Sequence, residues 1–356
     1  MVKLDKKNIT IFHISSRRID FLLSSMKDAN FKYYRLDYFK NHFRPGSLFG
    51  YRRFIGIFFD TIYQLLYYKK KFDVLIIDCA EYYFLAKIIS KILKTKIVFY
   101  NYGNHIDEVN EILSFGKMRI FFFKKIITLY INYVFNDCSK LISTYPNNTT
   151  DINSLLLNKK VIFISEPNKI RYVNKSNQSI PNHYIFMATN FNYKKKCFKI
   201  LDYLDIFKKI INENPNLKIV IAGNGKYLEE FKNIIKTNNL YKDFLILGFV
   251  KNFDEYLSNC KYFIHLSDQD TGPKVVFEAM KLKKNIIIND YFSKNSFFRN
   301  KINVILISNK YELYHSHKLL FSNNPVVREM TATAYSEIDK INKSIPNQWI
   351  SVIKSL

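Results

Sequence analysis

Short apolar runs alternate with longer helix-like segments along the chain, and this rhythm restricts the fold more than any other sequence feature. In the first half the runs are Ile9–Ile14, Val74–Ile77, Lys96–Tyr100, Lys140–Ser143 and Val161–Ile164. Runs of this kind are typical of buried strands, and strands separated by helices pair into parallel sheets. The pattern therefore predicts an α/β fold built from repeated βα units.

A polar segment interrupts this rhythm near the middle of the chain. Ser165–His183 contains two prolines and no apolar period, so we interpret it as a domain linker. The predicted strands then resume at Tyr184–Ala188, Lys218–Ala222, Phe244–Leu247, Tyr262–Leu266, Asn285–Ile288 and Val304–Ile307. The predicted helices between them include Phe198–Asn212, Lys226–Thr237 and Lys274–Lys281.

Two successive α/β halves predict two Rossmann-like, doubly wound domains that face a cleft. The length of 356 residues and the hydrophobic content of 48% are enough for two cores. We assign residues 1–170 to an N-terminal domain and residues 171–330 to a C-terminal domain. The tail, residues 331–356, is predicted to be helical and to cross back to the first domain.

The charge balance indicates a polyanionic neighbour. The chain has 55 Lys and Arg against 30 Asp and Glu, a net charge of +25, which suits nucleic acid, anionic lipid or a phosphorylated substrate. The cysteines are far apart and form no C-x-x-C pair, so we expect reduced thiols rather than a zinc or redox site. We expect no signal peptide, because the N-terminus lacks a long apolar core and a small-residue cleavage site. We expect no transmembrane helix, because no apolar stretch reaches about 18 residues.

A glycine-containing turn follows one of the predicted strands in the second half. The strand Lys218–Ala222 leads into Gly223, Asn224 and Gly225, and a helix follows. Glycines let a ligand approach the backbone, and a helix N-terminus favours an anion. An ordinary βα turn explains the same pattern equally well.

Two carboxylates and a lysine follow the predicted strand Tyr262–Leu266. Asp270 lies in the loop after the strand, and Glu278 lies about one turn into the next helix, so both can face one cleft. Carboxylates accept hydrogen bonds from the vicinal hydroxyls of a ribose or hexose. Lys274 adds a cation beside free backbone N–H groups at the helix start, an arrangement that suits a diphosphate.

The segment from Ile219 to Asp290 resembles the C-terminal domain of GT-B glycosyltransferases, especially glycosyltransferase family 4. Members of that family have a strand followed by G-x-G, then L-G-x-V, then Ser-x-x-Glu-Gly-Phe followed after five residues by Glu-Ala-Met. Here the last element is SDQDTGPKVVFEAM, Ser267–Met280, with Asp270 at the first family glutamate and Glu278 at the second.

The resemblance implies a transfer from a nucleotide-sugar to a hydroxyl acceptor, with retained stereochemistry. We expect no cofactor and no metal ion, because the sequence has no metal-ligand cluster and Lys274 with the helix N-terminus can replace a cation. It implies that Glu278 holds the nucleotide ribose. It also implies that Asp270 and the following Thr271, Gly272 and Pro273 line the donor sugar and diphosphate. In this mechanism the leaving diphosphate helps to deprotonate the acceptor, so no strong protein base is needed.

Family members also carry a basic pair in a G-R-x-x-x-x-K-like turn after the first strand of this domain. Asn190 stands where the arginine is expected, and either Lys195 or Lys196 takes the lysine position. Cations at this turn would stabilise the charge that develops on the leaving diphosphate.

The resemblance is weaker over residues 1–170. Tyr102 and Gly103 occupy a turn where relatives often have His-Gly beside the reacting carbon. His105 follows closely and is a candidate catalytic residue, although a packing role explains it as well. At the first βα turn, Ser16 and Arg17 are candidate acceptor-side residues.

Two stretches of the first half mix aromatic and basic residues at helical spacing, Phe49–Lys71 and Lys117–Ile127. An interfacial helix needs an apolar face for the acyl boundary and cations for anionic headgroups. We therefore predict a peripheral protein on the cytoplasmic face of an anionic membrane, acting on a glycan or lipid-linked acceptor in surface polysaccharide or glycoconjugate synthesis. Core packing of the same aromatics stays open.

Two other functions fit parts of the sequence. Asp268-Gln269-Asp270 matches the D-x-D of metal-dependent glycosyltransferases of another fold. The net charge of +25 would also suit a non-enzymatic nucleic-acid-binding protein. The sequence has no helix-turn-helix, finger or RNP signature, so we do not expect nucleic acid as the partner.

Overall fold

The computed structural model describes residues 9–14, 31–36, 72–78, 80, 83–101, 119–144, 161–164, 180–269, 273–322 and 324–356. The chain forms two compact units. The first comprises Met1–Ser165 together with Ser344–Leu356, and the second comprises Glu166–Lys343.

The first unit contains a six-stranded parallel sheet. Its described strands are β1 (Ile9–Ile14), β2 (Phe31–Leu36), β3 (Val74–Ile77), β4 (Lys96–Asn101), β5 (Lys140–Ser143) and β6 (Ile162–Phe163), and its described helices are α1 (Tyr83–Leu93) and α2 (Arg119–Asp137). The strand order is β2-β1-β3-β4-β5-β6, with every described pair parallel. Apolar side chains of β3, β4 and β5 pack against α1 and α2. This core includes Phe99 of β4, Leu141 of β5 and Val134 of α2.

The second unit repeats this architecture. Its strands are β7 (Tyr184–Ala188), β8 (Lys218–Ala222), β9 (Phe244–Gly248), β10 (Phe263–His265), β11 (Ile286–Asn289) and β12 (Ile305–Ile307). Its helices are α3 (Lys194–Cys197), α4 (Leu204–Glu213), α5 (Leu228–Thr237), α6 (Phe253–Asn259), α7 (Lys274–Lys281) and α8 (Lys310–Phe321), with 3-10 turns at Phe198–Tyr203 and Asp290–Lys294. The order is β12-β11-β10-β7-β8-β9, and all pairs are parallel. The two sheets confirm the predicted α/β, doubly wound class.

The predicted strands agree with the structure to within a residue or so at each end, and most of them carry a buried apolar run. One strand was not predicted. β2 has the mixed sequence FKYYRL, yet it pairs with β1 residue by residue from Ile9↔Phe31 to Ile14↔Leu36. The helix expected over Phe198–Asn212 is divided, with a 3-10 turn that precedes α4.

A single long helix, α9 (Pro325–Lys354), forms the tail. Its residues up to Lys343 belong to the second unit, and Ser344–Leu356 belong to the first. In the second unit, the Lys281 ammonium on α7 lies 2.6 Å from Asp339 Oδ1 on α9. In the first unit, the buried Trp349 packs edge-on against Tyr100 of β4, with ring centroids 5.0 Å apart. Within the described part of the chain, no helix has both the length and the apolar character needed to cross a bilayer.

Candidate active site

The strand order of the second unit locates a topological switch point. The chain leaves β7 for β8 and β9 on one side, and then enters β10 on the other side of β7. The loops after β7 and β10 therefore leave the carboxyl edge of two adjacent strands in opposite directions. Open α/β sheets bind ligands in the crevice at such a point. The predicted donor residues that the structure describes in the second half lie on loops at this edge or on the helices that follow them.

The two glycines after β8 are required by the neighbouring turn. Gly223 and Gly225 have φ of +145° and +151°. A Cβ at Gly223 would lie 1.9 Å from the Thr189 carbonyl oxygen, and one at Gly225 would lie 2.3 Å from the Asn192 nitrogen. The sequence Gly-Asn-Gly thus lets the turn after β7 pack directly against the turn after β8.

Backbone N–H groups of the turn between β8 and α5 also have partners within the protein. The N–H groups of Gly223 and Tyr227 donate to the carbonyls of Gly248 (2.8 Å) and Phe191 (2.9 Å). The N–H of Gly225 donates to its neighbour Asn224 Oδ1 (2.8 Å). These three donors are therefore engaged within the protein. Contact of a donor with Gly223 or Gly225 stays a prediction.

The turn after β7 brings the predicted basic segment to the switch point. Asn190 Oδ1 accepts a hydrogen bond from the Asn192 N–H (3.0 Å), so this side chain shapes its own turn. Lys194 is paired with Glu230 at 2.9 Å. Lys195 is exposed, and the Lys196 ammonium lies 5.1 Å from the Tyr193 ring centroid. Lys195 and Lys196 stay the predicted phosphate contacts.

The loop after β10 is held on both sides. The Asp268 N–H donates to the Lys195 carbonyl (2.9 Å), which joins the β10 loop to the β7 turn. On the other side, Asn289 at the end of β11 accepts from the Ser267 N–H and donates to the Ser267 carbonyl, both at 3.0 Å. Sequence reasoning missed Asn289, although a polar residue that ends the buried run IIIN is a usable signal.

Charged groups add to this anchorage. The Lys199 ammonium lies 3.2 Å from Asp268 Oδ2 and 3.2 Å from Asp202 Oδ2. Burial alone would lower the pKa of Lys199, but Asp202 and Asp268 outweigh that effect, and the pKa is raised. Lys199 therefore stays a cation at physiological pH.

The start of α7 has the geometry that the sequence predicts. Pro273 is buried and precedes the first helical residue, Lys274, which is exposed. At this end the N-cap residue Pro273 makes no side-chain hydrogen bond, and its carbonyl accepts from the Val276 N–H (2.9 Å). Glu278 follows one turn later and is partly buried. The cation, the helix end and the carboxylate thus occur together on one element at the switch point.

The structure argues against Asp268 as a metal ligand. Its Oδ1 accepts from Asn289 Nδ2 (3.3 Å), and its Oδ2 pairs with Lys199. Within the described segments, no group of three or more His, Cys, Asp and Glu is placed to hold a metal ion. Three buried thiols, Cys138, Cys197 and Cys260, form no disulfide bond.

Several predicted site residues lie outside the described residues. They are Ser16, Arg17, Tyr102, Gly103 and His105 in the first half, and Asp270, Thr271 and Gly272 in the second. Most of the two aromatic–basic stretches also lies outside, apart from the part of α2 within Lys117–Ile127. These assignments stay predictions.

Comparison with known proteins gives the family that the second unit matches. Residues 168–336 match the family model of glycosyl transferases group 1, a range that is nearly the whole second unit. The capsular polysaccharide biosynthesis glycosyltransferase CapH of Staphylococcus aureus is 29% identical over 157 residues, which are 41% of this chain and 43% of CapH. An N-acetylgalactosamine-N,N'-diacetylbacillosaminyl-diphospho-undecaprenol 4-alpha-N-acetylgalactosaminyltransferase of Campylobacter jejuni is 31% identical over 78 residues, 22% of this chain and 21% of that protein. The matches thus span less than half the length of these relatives.

Solved structures extend the likeness to the first unit. Anabaena Alr3699/HepE in complex with UDP and glucose superposes with a TM-score of 0.68 at 12% identity, covering 98% of this chain and 100% of that one. Sucrose-phosphate synthase from Thermosynechococcus elongatus gives a TM-score of 0.72 at 8% identity, covering 98% of both chains. At such identities the likeness shows the fold.

The chain has the two-unit GT-B fold of these solved structures, and residues 168–336, within its second unit, match the glycosyl transferases group 1 family.

Proposed function

We propose that the chain transfers a sugar from a nucleotide-sugar to a hydroxyl of a glycan or lipid-linked acceptor. The observation that carries the proposal is the start of α7, where Lys274, the helix N-terminus and Glu278 lie together at the switch point. A diphosphate suits the cation and the N–H groups, and a ribose suits the carboxylate. The likeness to Alr3699/HepE, whose structure contains UDP and glucose, supports this choice of donor.

The reaction is proposed to retain stereochemistry and to need no metal ion. Lys274, the helix end and Lys195 or Lys196 would stabilise the leaving diphosphate, which would accept the proton of the acceptor hydroxyl. Asp270 would face the donor sugar. The engagement of both Asp268 oxygens supports a metal-independent reaction over the D-x-D alternative.

The acceptor is proposed to belong to surface polysaccharide or glycoconjugate synthesis. One relative is named for capsular polysaccharide biosynthesis, and another for a diphospho-undecaprenol glycan. An acceptor of that second kind is anchored in a membrane, which agrees with the net charge of +25.

An apolar face in the first unit supports peripheral attachment to the cytoplasmic face of a membrane. On α1, Phe84, Ile88 and Ile92 are four residues apart and exposed, with Phe84 at 61% and Ile92 at 72%. The helix has no acidic residue, and Lys91 and Lys94 lie exposed at its end. Apolar side chains next to cations suit the interface of an anionic bilayer.

The adjacent helix extends this face. Ile126, Leu129 and Tyr133 of α2 are exposed. The two helices are in contact, since the Tyr83 hydroxyl on α1 donates to Asp137 on α2 at 2.6 Å. The exposed apolar residues of α1 and α2 are therefore the described part of the proposed membrane face.

A thermal-shift screen of nucleotide-sugars tests the donor proposal. A ligand that binds the native state raises the stability by RT ln(1 + [L]/Kd). We expect one nucleotide-sugar, and more weakly its nucleoside diphosphate, to raise Tm in a concentration-dependent way. If all donors leave Tm unchanged while RNA raises it with a steep salt dependence, the chain is a nucleic-acid-binding protein instead.

A further inference from the structure

We infer that Asn289 is a positioning residue for the start of the donor loop, residues 267–269. This inference rests on the proposed function, because Asp270 follows these residues in the sequence. Asn289 ends β11 and is buried, with 1% of its surface exposed. It lies beside Leu266 in the register that pairs His265 of β10 with Ile288 of β11.

Asn289 replaces the missing backbone partner of Ser267. Its Oδ1 accepts from the Ser267 N–H, and its Nδ2 donates to the Ser267 carbonyl. The side chain thereby continues the pairing of β10 beyond the end of the ladder. Only a carboxamide offers a donor and an acceptor in this arrangement, since aspartate lacks the donor and threonine is too short for both.

The anchorage continues along the two next residues. Nδ2 of Asn289 also reaches Asp268 Oδ1 (3.3 Å), and the Asp268 N–H donates to the Lys195 carbonyl (2.9 Å). The Gln269 N–H donates to Ser267 Oγ (3.2 Å). The three N–H groups that precede Asp270 are therefore all engaged, and Asn289 binds the first of them.

A fixed loop start matters for transfer because a misplaced contact to the sugar costs rate even when the donor still binds. Loss of the Asn289 amide leaves the buried Ser267 peptide unsatisfied, and the loop start would move toward other partners. The expected consequence is a fall in kcat that exceeds the change in donor KM.

The experiment compares Asn289→Ala and Asn289→Asp with a matched control, Asn303→Ala. Asn303 is also buried and also holds a loop, accepting from the Arg299 N–H (2.8 Å) and donating to the Phe297 carbonyl (2.6 Å). Asn303 precedes β12 and so lies at the amino-terminal ends of the parallel strands, whereas Asn289 lies at their carboxyl ends. All three variants should lower Tm, so Tm alone does not test the inference.

Two measurements test it. Amide hydrogen exchange of the wild type and variants, without any ligand, should show roughly tenfold faster exchange or more at residues 267–269 only in the Asn289 variants. With the best donor, the Asn289 variants should lose about tenfold in kcat with a smaller change in KM, and Asn303→Ala should keep both. Asn289→Gln should restore little of the lost kcat or of the slow exchange at residues 267–269, because the longer glutamine side chain displaces the amide.

Faster exchange at residues 267–269 in Asn303→Ala, or unchanged exchange in Asn289→Ala, would overturn the inference. So would unchanged kcat in Asn289→Ala. The exchange measurement needs no donor, so a wild type that binds no nucleotide-sugar would refute the proposed function while the role of Asn289 in the loop is still tested.

Discussion

The backbone N–H of Asp268 donates to the carbonyl of Lys195 over 2.9 Å, and this bond joins the loops on the two sides of the β7/β10 switch point. The predicted phosphate lysines and the predicted sugar-binding loop are therefore neighbours in space, although more than 70 residues separate them in sequence. Their proximity is what a site for a diphosphate sugar requires.

The carboxylate of Glu278 should be needed for donor affinity. A hydrogen bond from a hydroxyl to a charged group contributes roughly 1.5–3 kcal/mol, so Glu278→Gln should weaken donor binding about tenfold or more. Titration calorimetry with the best donor measures this. Glu329→Gln, on the tail helix α9, is the control and should bind as the wild type does. Equal affinities of Glu278→Gln and wild type would remove Glu278 from the site.

Transfer should persist in EDTA. The proposed site stabilises the diphosphate with Lys274, the start of α7 and the lysines of the β7 turn, so a divalent cation has no required role. Initial rates with and without EDTA, measured by product formation, should agree. Activity that disappears in EDTA and returns with Mn²⁺ or Mg²⁺ would support the D-x-D alternative instead.

The two glycines after β8 should be far less tolerant than Gly248. Gly248→Ala places a side chain at φ +70° in open space and should cost roughly 1–2 kcal/mol. Gly223→Ala adds a clash with the Thr189 carbonyl oxygen, and overpacking costs a further 1–3 kcal/mol or so. Urea unfolding of both variants compares them. A Gly223→Ala variant as stable as Gly248→Ala would contradict the observed turn packing.

The protein should lose stability as the pH falls from about 6.5 toward 4. Burial lowers the pKa of His317 from 6.5 to about 4, while the Tyr262 hydroxyl lies 2.8 Å from its Nδ1. The unfolded chain binds a proton in this window and the folded chain does not, so acidification favours unfolding. The free energy of unfolding, followed against pH, should fall less steeply in His317→Gln. The exposed His315, changed to glutamine, should leave the slope unaltered.

Binding to anionic bilayers should depend on the apolar face of α1 and α2. Phe84→Ser with Ile92→Ser should reduce flotation with phosphatidylglycerol liposomes, because the apolar contribution to binding is lost. Tyr311→Ser with Val326→Ser, two similarly exposed positions of the second unit, is the matched control. Raised salt should weaken binding of the wild type through its cations.

Three outcomes bear on this prediction. A wild type that fails to float at low salt would contradict membrane attachment. Equal flotation of the two double variants would show that the α1 and α2 face is not the membrane contact. A concentration-dependent dimer that Phe84→Ser and Ile92→Ser dissociate would assign the face to a second copy of the chain.

Local patterns were sufficient for most of the architecture. The buried apolar runs predicted the strands of both sheets except β2, and the motif Ser267–Met280 predicted the place of α7 and of Glu278 within it. Each of these features depends on residues close together in sequence, where period and composition carry the information.

Only the tertiary structure decided the rest. β2 has no apolar run, and its strand form depends on pairing with β1. Gly223 and Gly225 are required by a turn more than 30 residues earlier in the chain. Asn289 and Ser267 are 22 residues apart, and their hydrogen bonds exist because β10 and β11 are adjacent. Contacts of this kind depend on which elements meet at the sheet edge, and a sequence pattern does not encode the partners that folding brings together.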